Sequence, residues 1–221
     1  MKKLIIISIL LLSGLESFTQ DIWSFNDKSF NISVYTDSVK YDSTVQNYGR
    51  VVTKIEIFKD NKNIQTIKPE IFIHEPYLDS NFIFQYIDVN FDGQKDIVLV
   101  NWISTSLYTT SWYWIFDPNT QKFLEDSSLN HLMNVQVDQN KKCIYTYWRI
   151  GMNEFGHAIY QWENNKLILK IEQCEYWGLD PSTPVTRVIN ENVKGKLVEK
   201  EYKVKEHNIM NKWELYELLW K

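Results

Sequence analysis

The sequence predicts an all-β fold of antiparallel hairpins in a propeller-like arrangement, with one calcium loop and a short C-terminal helix. Three observations carry the β prediction. The first is a series of short runs rich in apolar, β-branched and aromatic residues: "VVTKIEIF", "FIFQYIDV", "DIVLVNWI", "TSWYWIF", "CIYTYW", "HAIYQW" and "KLILKIEQC". The second is the chemistry between them, where "KDNKN", "FDGQ", "DPNTQ", "DQNKK" and "ENNK" supply the Asn, Asp, Gly and Pro of tight connections. The third is a faint repeat. "KIEIFKDNKNIQTI", "WYWIFDPNTQKFLE" and "AIYQWENNKLILK" each lead from an apolar strand ending in an aromatic through a polar turn into a second strand, with Phe58, Phe116 and Trp162 equivalent. "IDVNFDGQKDIVLV" and "VDQNKKCIYTYW" form a second related pair, offset by 50 residues from Asp88 to Asp138. A period near 50 is that of propeller blades, each a small antiparallel sheet. A plain sandwich or an irregular barrel is the alternative.

Taken from the amino terminus, "MKKLIIISILLLSGLESFTQ" has two lysines, an apolar run from Leu4 to Leu12, and then small or polar residues. The run is far shorter than the roughly 20 residues that cross a bilayer, so residues 1–19 read as a secretory signal peptide cleaved near Thr19. No cysteine follows for lipid attachment, and no later segment is apolar enough to span a membrane. Residues 20–221 then form a single β domain in the periplasm or outside the cell, long enough for a full core.

Without Lys2, Lys3 and Glu16, 22 basic and 27 acidic residues remain, a formal charge of −5 that argues against nucleic acid and permits a basic partner. Thirteen tyrosines, eleven phenylalanines and nine tryptophans suit sheets and recognition surfaces alike. Export would allow Cys143 and Cys174 to pair. The hairpin register around "ENNK" instead places them at opposite ends of one meander, beyond disulfide reach. In the tail, Ile209, Trp213, Tyr216 and Trp220 recur at helical spacing, predicting a short amphipathic helix packed on the β body; a closing strand is the alternative.

The stretch "DVNFDGQKD" carries the most specific signal. Asp88, Asn90, Asp92 and Asp96 fall at loop positions one, three, five and nine, with Gly93 after the third. Alternate oxygen ligands in a tightly wound loop converge on one point, and glycine permits the positive φ of the turn. The expected ligand is Ca2+, with the Gln94 carbonyl at position seven completing the set. An EF-hand is excluded because position twelve is Leu99 and both flanks are strands. A dockerin is excluded because neither helical flanks nor a second loop is present. What remains is the calcium loop found in a β-hairpin of FG-GAP and related propeller repeats. A solvated Asp/Asn/Gly turn is the plain alternative.

From "DVNFDGQKDIVLVNW" onward, an acidic loop precedes the strand pair "YTTSWYWIFDPNTQKF", the strand "CIYTYWRIG" and the hairpin "YQWENNKL". This order resembles the periplasmic immunity proteins that neutralise peptidoglycan-cleaving toxins of antibacterial type IV secretion systems. The resemblance covers roughly residues 80 to 175. It implies a calcium-bearing β domain that blocks a lysozyme-like effector.

Such an inhibitor plugs a carboxylate-floored groove with a protruding loop. The candidate is "RIGMNEFGH", Arg149 to His157, between Gly151 and Gly156. Phe155 is the prospective anchor and Arg149 the partner for a cleft acid. Glu154 and His157 offer hydrogen bonds, and Met152 offers further contact. The plain reading is a β-connection with Phe155 on the sheet and Arg149 in a surface ion pair. A second patch, "WISTSLYTTSWYW", offers Tyr108, Trp112 and Trp114 as an aromatic face, which core packing explains equally well.

No catalytic set is expected. His74, His131, His157 and His207 lack metal-ligand spacing, no serine sits in a nucleophile elbow, and neither cysteine has a catalytic signature. A calcium-stabilised glycan-binding or adhesive module is the alternative function, with a polysaccharide hydrolase behind it.

Overall fold

The computed structural model describes residues 20–26, 29–40, 48–69, 71–74, 83–103, 108–151, 153–178, 185–204, 216, 217 and 219. They form fifteen strands in three antiparallel sheets. In the first, β1 (Gln20–Asn26), β2 (Asn31–Lys40), β3 (Tyr48–Lys59) and β4 (Lys62–Ile67) follow one another, and β5 (Ile71–His74) also pairs with β3. The second is the meander of β6 (Phe84–Ile87), β7 (Asp96–Ile103), β8 (Thr109–Asp117) and β9 (Lys122–Glu125). The third runs in order through β10 (Gln136–Asp138), β11 (Cys143–Ile150), β12 (Glu154–Glu163), β13 (Lys166–Tyr176), β14 (Val185–Val193) and β15 (Lys196–Val204).

The repeat has a structural counterpart. Phe58, Phe116 and Trp162 lie near the ends of β3, β8 and β12, so each opens the hairpin between the third and fourth strands of its sheet. Asp60 and Asn61, like Asn164 and Asn165, have positive φ in two-residue loops, the pattern whose twist matches the flanking strands. The β8–β9 loop is longer. There the Asp117 carboxylate accepts hydrogen bonds from Asn119 N and Thr120 Oγ1.

Apolar patterning stacks the sheets. Ile32, Val34, Val52, Ile55 and Ile57 of the first pack on Phe84, Ile97, Leu99, Trp114 and Phe116 of the second. Val98 and Tyr113, on the opposite face of the second sheet, meet Ile144, Tyr160, Trp162 and Leu167 of the third. Alternation puts successive side chains on opposite faces, so a middle sheet must be apolar on both. That is why β7 reads as the unbroken run Ile97–Val100, every residue of it buried. Trp112 and Trp114 pack in the first of these interfaces rather than forming a sugar-binding surface.

Among the described residues the sheets make a stack, and no closed barrel or ring of blades is seen. Among the described residues, helix is confined to Ile83, Tyr216, Glu217 and Leu219. Tyr216 and Leu219 pack on Cys143, Tyr145, Ile159 and Ile171, on the far side of the third sheet. Of the other predicted helix contacts, Ile209, Trp213 and Trp220 lie outside the described residues, as does the predicted signal peptide.

Both cysteines are buried and not joined to each other, and Cys143 Sγ lies 3.4 Å from Tyr216 Oη. Cys143 shares the Tyr216 face, whereas Cys174 stands opposite Gly156 and Trp148 on the other face of the same sheet. No described helix is long and apolar enough to cross a membrane.

Candidate functional sites

The acidic stretch connects β6 to β7, and its own side chains wind it. Asp88 Oδ2 accepts from Gly93 N at 2.9 Å, Asn90 Oδ1 from Asp92 N at 3.2 Å, and Asp92 Oδ1 from Gln94 N at 2.7 Å. Asn90 Nδ2 donates to Asp92 Oδ2 at 2.9 Å. Phe91 and Gly93 take φ of 63° and 88°. Glycine removes the cost of that conformation at the second position. The third sheet holds the loop from outside: Trp162 Nε1 donates to Val89 O at 3.1 Å and Gln139 Nε2 to Asp88 O at 2.5 Å.

Asp96 differs from the others because it is fully buried. Its oxygens accept from Val89 N at 2.7 Å and Phe116 N at 2.9 Å, tying the loop to β8. Burial pushes its carboxyl up to about 7. The two backbone donors oppose that rise, and the negative charges of Asp92 and Asp88 add to it. Asp88 Oδ1 is buried without a hydrogen-bond partner among the described residues. A buried carboxylate oxygen without a donor is costly, and a cation is one remedy.

Of the sequence-predicted ligand set, Asp88, Asn90, Asp92, Gln94 and Asp96 thus share one loop. Among the described residues, however, no three or more acidic, histidine or cysteine side chains converge in a metal-binding group. Asp92 and Asn90 spend oxygens on each other and on the loop, while Asp96 faces the sheet backbone. What speaks for a hard cation is the oxygen chemistry of the side chains and the one orphaned Asp88 oxygen, not a converged ligand group.

The second predicted site is the connection between β11 and β12. Ile150 pairs with Glu154 across a three-residue loop in which Gly151 has a φ of 62°. Arg149 is exposed, with Nε donating to Gly151 O at 2.9 Å and Cζ lying 4.6 Å from the Phe155 ring centroid. Phe155 is half-buried and packs on Trp177 at 4.5 Å between centroids. Trp177 N donates to Asn153 O at 2.7 Å, fastening the end of β13 to the loop. The tip is therefore a stack of guanidinium, phenyl and indole with Ile150 exposed beside it. Glu154 is half-buried next to it, and Met152 lies outside the described residues.

Gly156 follows from packing. A Cβ there would come within 2.1 Å of the Trp148 ring, which crosses it from the paired strand. His157 sits two residues inward on the Phe155 face, its Nδ1 2.5 Å from Tyr145 Oη. Burial lowers its pKa, and Glu175 works in the opposite direction.

Sequence reasoning missed the groups beneath this tip. Glu175 is 1% exposed, and its Oε1 accepts from Arg187 Nε at 2.9 Å and Nη2 at 2.6 Å. Trp177 Nε1 adds a bond to Oε2 at 3.4 Å. A Glu and an Arg twelve residues apart on separate strands leave no local signature. The only available signal was a polar pair within runs that otherwise read as β.

No family model matches the chain, and no curated protein does. A solved structure, described as that of a Xanthomonas type IV secretion system related protein, is similar in fold with a TM-score of 0.59, over 81% of this chain and 92% of that one, at 15% sequence identity.

Proposed function

We propose that the protein is an exported, calcium-binding β protein that binds and inhibits a lysozyme-like peptidoglycan hydrolase. The observation that carries this reading is the fold shared with a type IV secretion system related protein, which agrees with the resemblance in the strand and loop order of residues 80 to 175. Ca2+ would be held by Asp88, Asn90, Asp92, the Gln94 carbonyl and Asp96. It would neutralise a loop already anchored to β8, β12 and the β10–β11 turn. Its role there is structural, because the loop joins strands of the middle sheet. The binding surface is the Arg149–Phe155–Trp177 stack, which presents a planar cation on an aromatic face. Such a group suits a groove floored by carboxylates.

The test is clearance of peptidoglycan by a lysozyme-fold hydrolase in the presence of the mature protein. Stoichiometric loss of clearance is expected. Phe155→Ala and Arg149→Ala should each weaken inhibition about 10-fold or more, as interface truncations costing about 1.4 kcal/mol or more do. Clearance of peptidoglycan by this protein alone would instead favour a hydrolase. Wild-type inhibition by both variants would remove the tip from the interface.

A further inference from the structure

The second and third sheets do not fill the space between them evenly. Where Trp162 reaches the acidic loop, the large side chains of Tyr160, Trp162 and Leu167 close it. Toward the other end valine faces valine, with Val98 and Val100 of β7 on one side and Val135 and Val137, at the entry to β10, on the other. Stacked sheets sit about 10 Å apart, so side chains this short leave a gap. That gap is a cavity of about 120 Å³.

Its base and its mouth differ. Val98, Val100, Ser111 and Tyr113 are buried, whereas Gln85, Thr109, Val135 and Val137 are half-exposed around them. Strand pairing sets the pattern: Gln85 stands opposite Val98, Val98 opposite Tyr113, and Val100 opposite Ser111. The β7 valines thus form an apolar floor with hydrogen-bonding groups along both edges, under an apolar roof. Asn134 holds the roof in place. Its backbone N donates to Thr109 O, its Oδ1 accepts from Thr109 N and its Nδ2 donates to Tyr147 O, each at 2.9 Å.

Three properties select the occupant. The first is size, since an apolar cavity of about 150 Å³ accepts benzene. The second is shape: two facing layers of valine leave a slot that suits a flat ring, and water fills it poorly because the valines offer no hydrogen-bond partner. The third is charge. Among the described residues no acidic or basic side chain lines the cavity, and burial raises the Tyr113 phenol above its ordinary pKa, so it stays neutral. An ion would enter desolvated and without a counter-ion.

We infer that this cavity binds a small neutral phenol. The ring lies between the two valine layers, and its hydroxyl bonds Ser111 Oγ at the base. A hydroxyl both donates and accepts, so the pairing holds whichever way either hydrogen points. The site shares no residue with the acidic loop or the Arg149 tip.

The experiment is methyl NMR of the mature protein, following Val98, Val100, Val135 and Val137 while phenol, toluene and benzoate are titrated separately to tens of millimolar. Phenol is expected to give saturable shifts at these valines, toluene to bind at least several-fold more weakly, and benzoate to leave them unmoved. Ser111→Ala brings phenol down to the level of toluene. Val137→Phe, at the half-exposed mouth, fills the slot and abolishes the shifts from both rings. Ser111→Ala removes a single oxygen, so it tests the site even where the larger side chain is not accommodated. No saturable shift with phenol, equal shifts with benzoate, toluene binding as tight as phenol, or undiminished phenol binding in Ser111→Ala overturns the site.

Discussion

At Gly156 the sequence suggested only a loop boundary, but the constraint is steric and comes from across the strand pair. Trp148 occupies the place of a Cβ, so Gly156→Ala must displace a half-buried indole. A loss of about 1–3 kcal/mol, the usual range for overpacking, is expected in urea unfolding with an unchanged slope. At Glu175 the carboxylate is enclosed and depends on Arg187. Arg187→Met leaves that charge buried without its counter-ion and should cost about 3–5 kcal/mol, whereas replacing both partners with apolar residues of similar volume costs far less. Differential scanning calorimetry of the single and double variants separates the two effects. His157 carries a pH dependence: its folded pKa is depressed below the ordinary 6.5, so the unfolded chain binds the proton more readily. Its contribution is fully present above pH 6.5 and is lost as the pH falls through the folded value. His157→Gln should flatten the fall of thermal midpoint between pH 6.5 and acid without changing the midpoint's slope above it.

At the scale of elements, legibility followed burial. The strands of the middle sheet and the β11–β13 meander were readable because they carry apolar residues on one or both faces, with Asn- and Asp-rich turns between them. β15 was not. All of its side chains from Lys196 to Lys203 are exposed, so "KLVEKEYKV" carries no sustained alternation and is held by its ladder to β14. Its turn was readable in principle, since Lys194 and Gly195 both adopt positive φ, as "KG" between two short runs permits. β1 and β2 were missed for another reason: serines and asparagines such as Ser24, Asn26, Asn31 and Ser33 alternate with their apolar residues, and the buried Thr36 interrupts the apolar signal of Ile32 and Val34. The acidic loop was the most legible part of the candidate sites because its five positions are local in sequence. The Arg149–Phe155–Trp177 stack was legible only in part. Trp177 reaches the tip from the end of a different strand, which spacing within one loop cannot reveal.

For the whole molecule, the 50-residue repeat proved informative about meanders and less so about closure. Each repeat unit is a third-to-fourth-strand hairpin, and consecutive meanders lie face to face as blades do, but a pattern of hairpins does not specify how many close a ring. The stack instead places the acidic loop at a junction, contacted by Phe116 of its own sheet and by Gln139 and Trp162 of the next. A cation there would be coupled to the docking of the second and third sheets, so the calcium claim is a claim about global stability. The most direct measurement is therefore the thermal midpoint of the mature protein in EDTA and in millimolar Ca2+, alongside Asp92→Ala. The account predicts a midpoint that rises with Ca2+, by an amount equivalent to about 3 kcal/mol at a hundredfold excess over the dissociation constant, and no rise in the variant. An identical midpoint in EDTA and Ca2+ for the wild-type protein would contradict it and reduce the loop to a self-bonded turn.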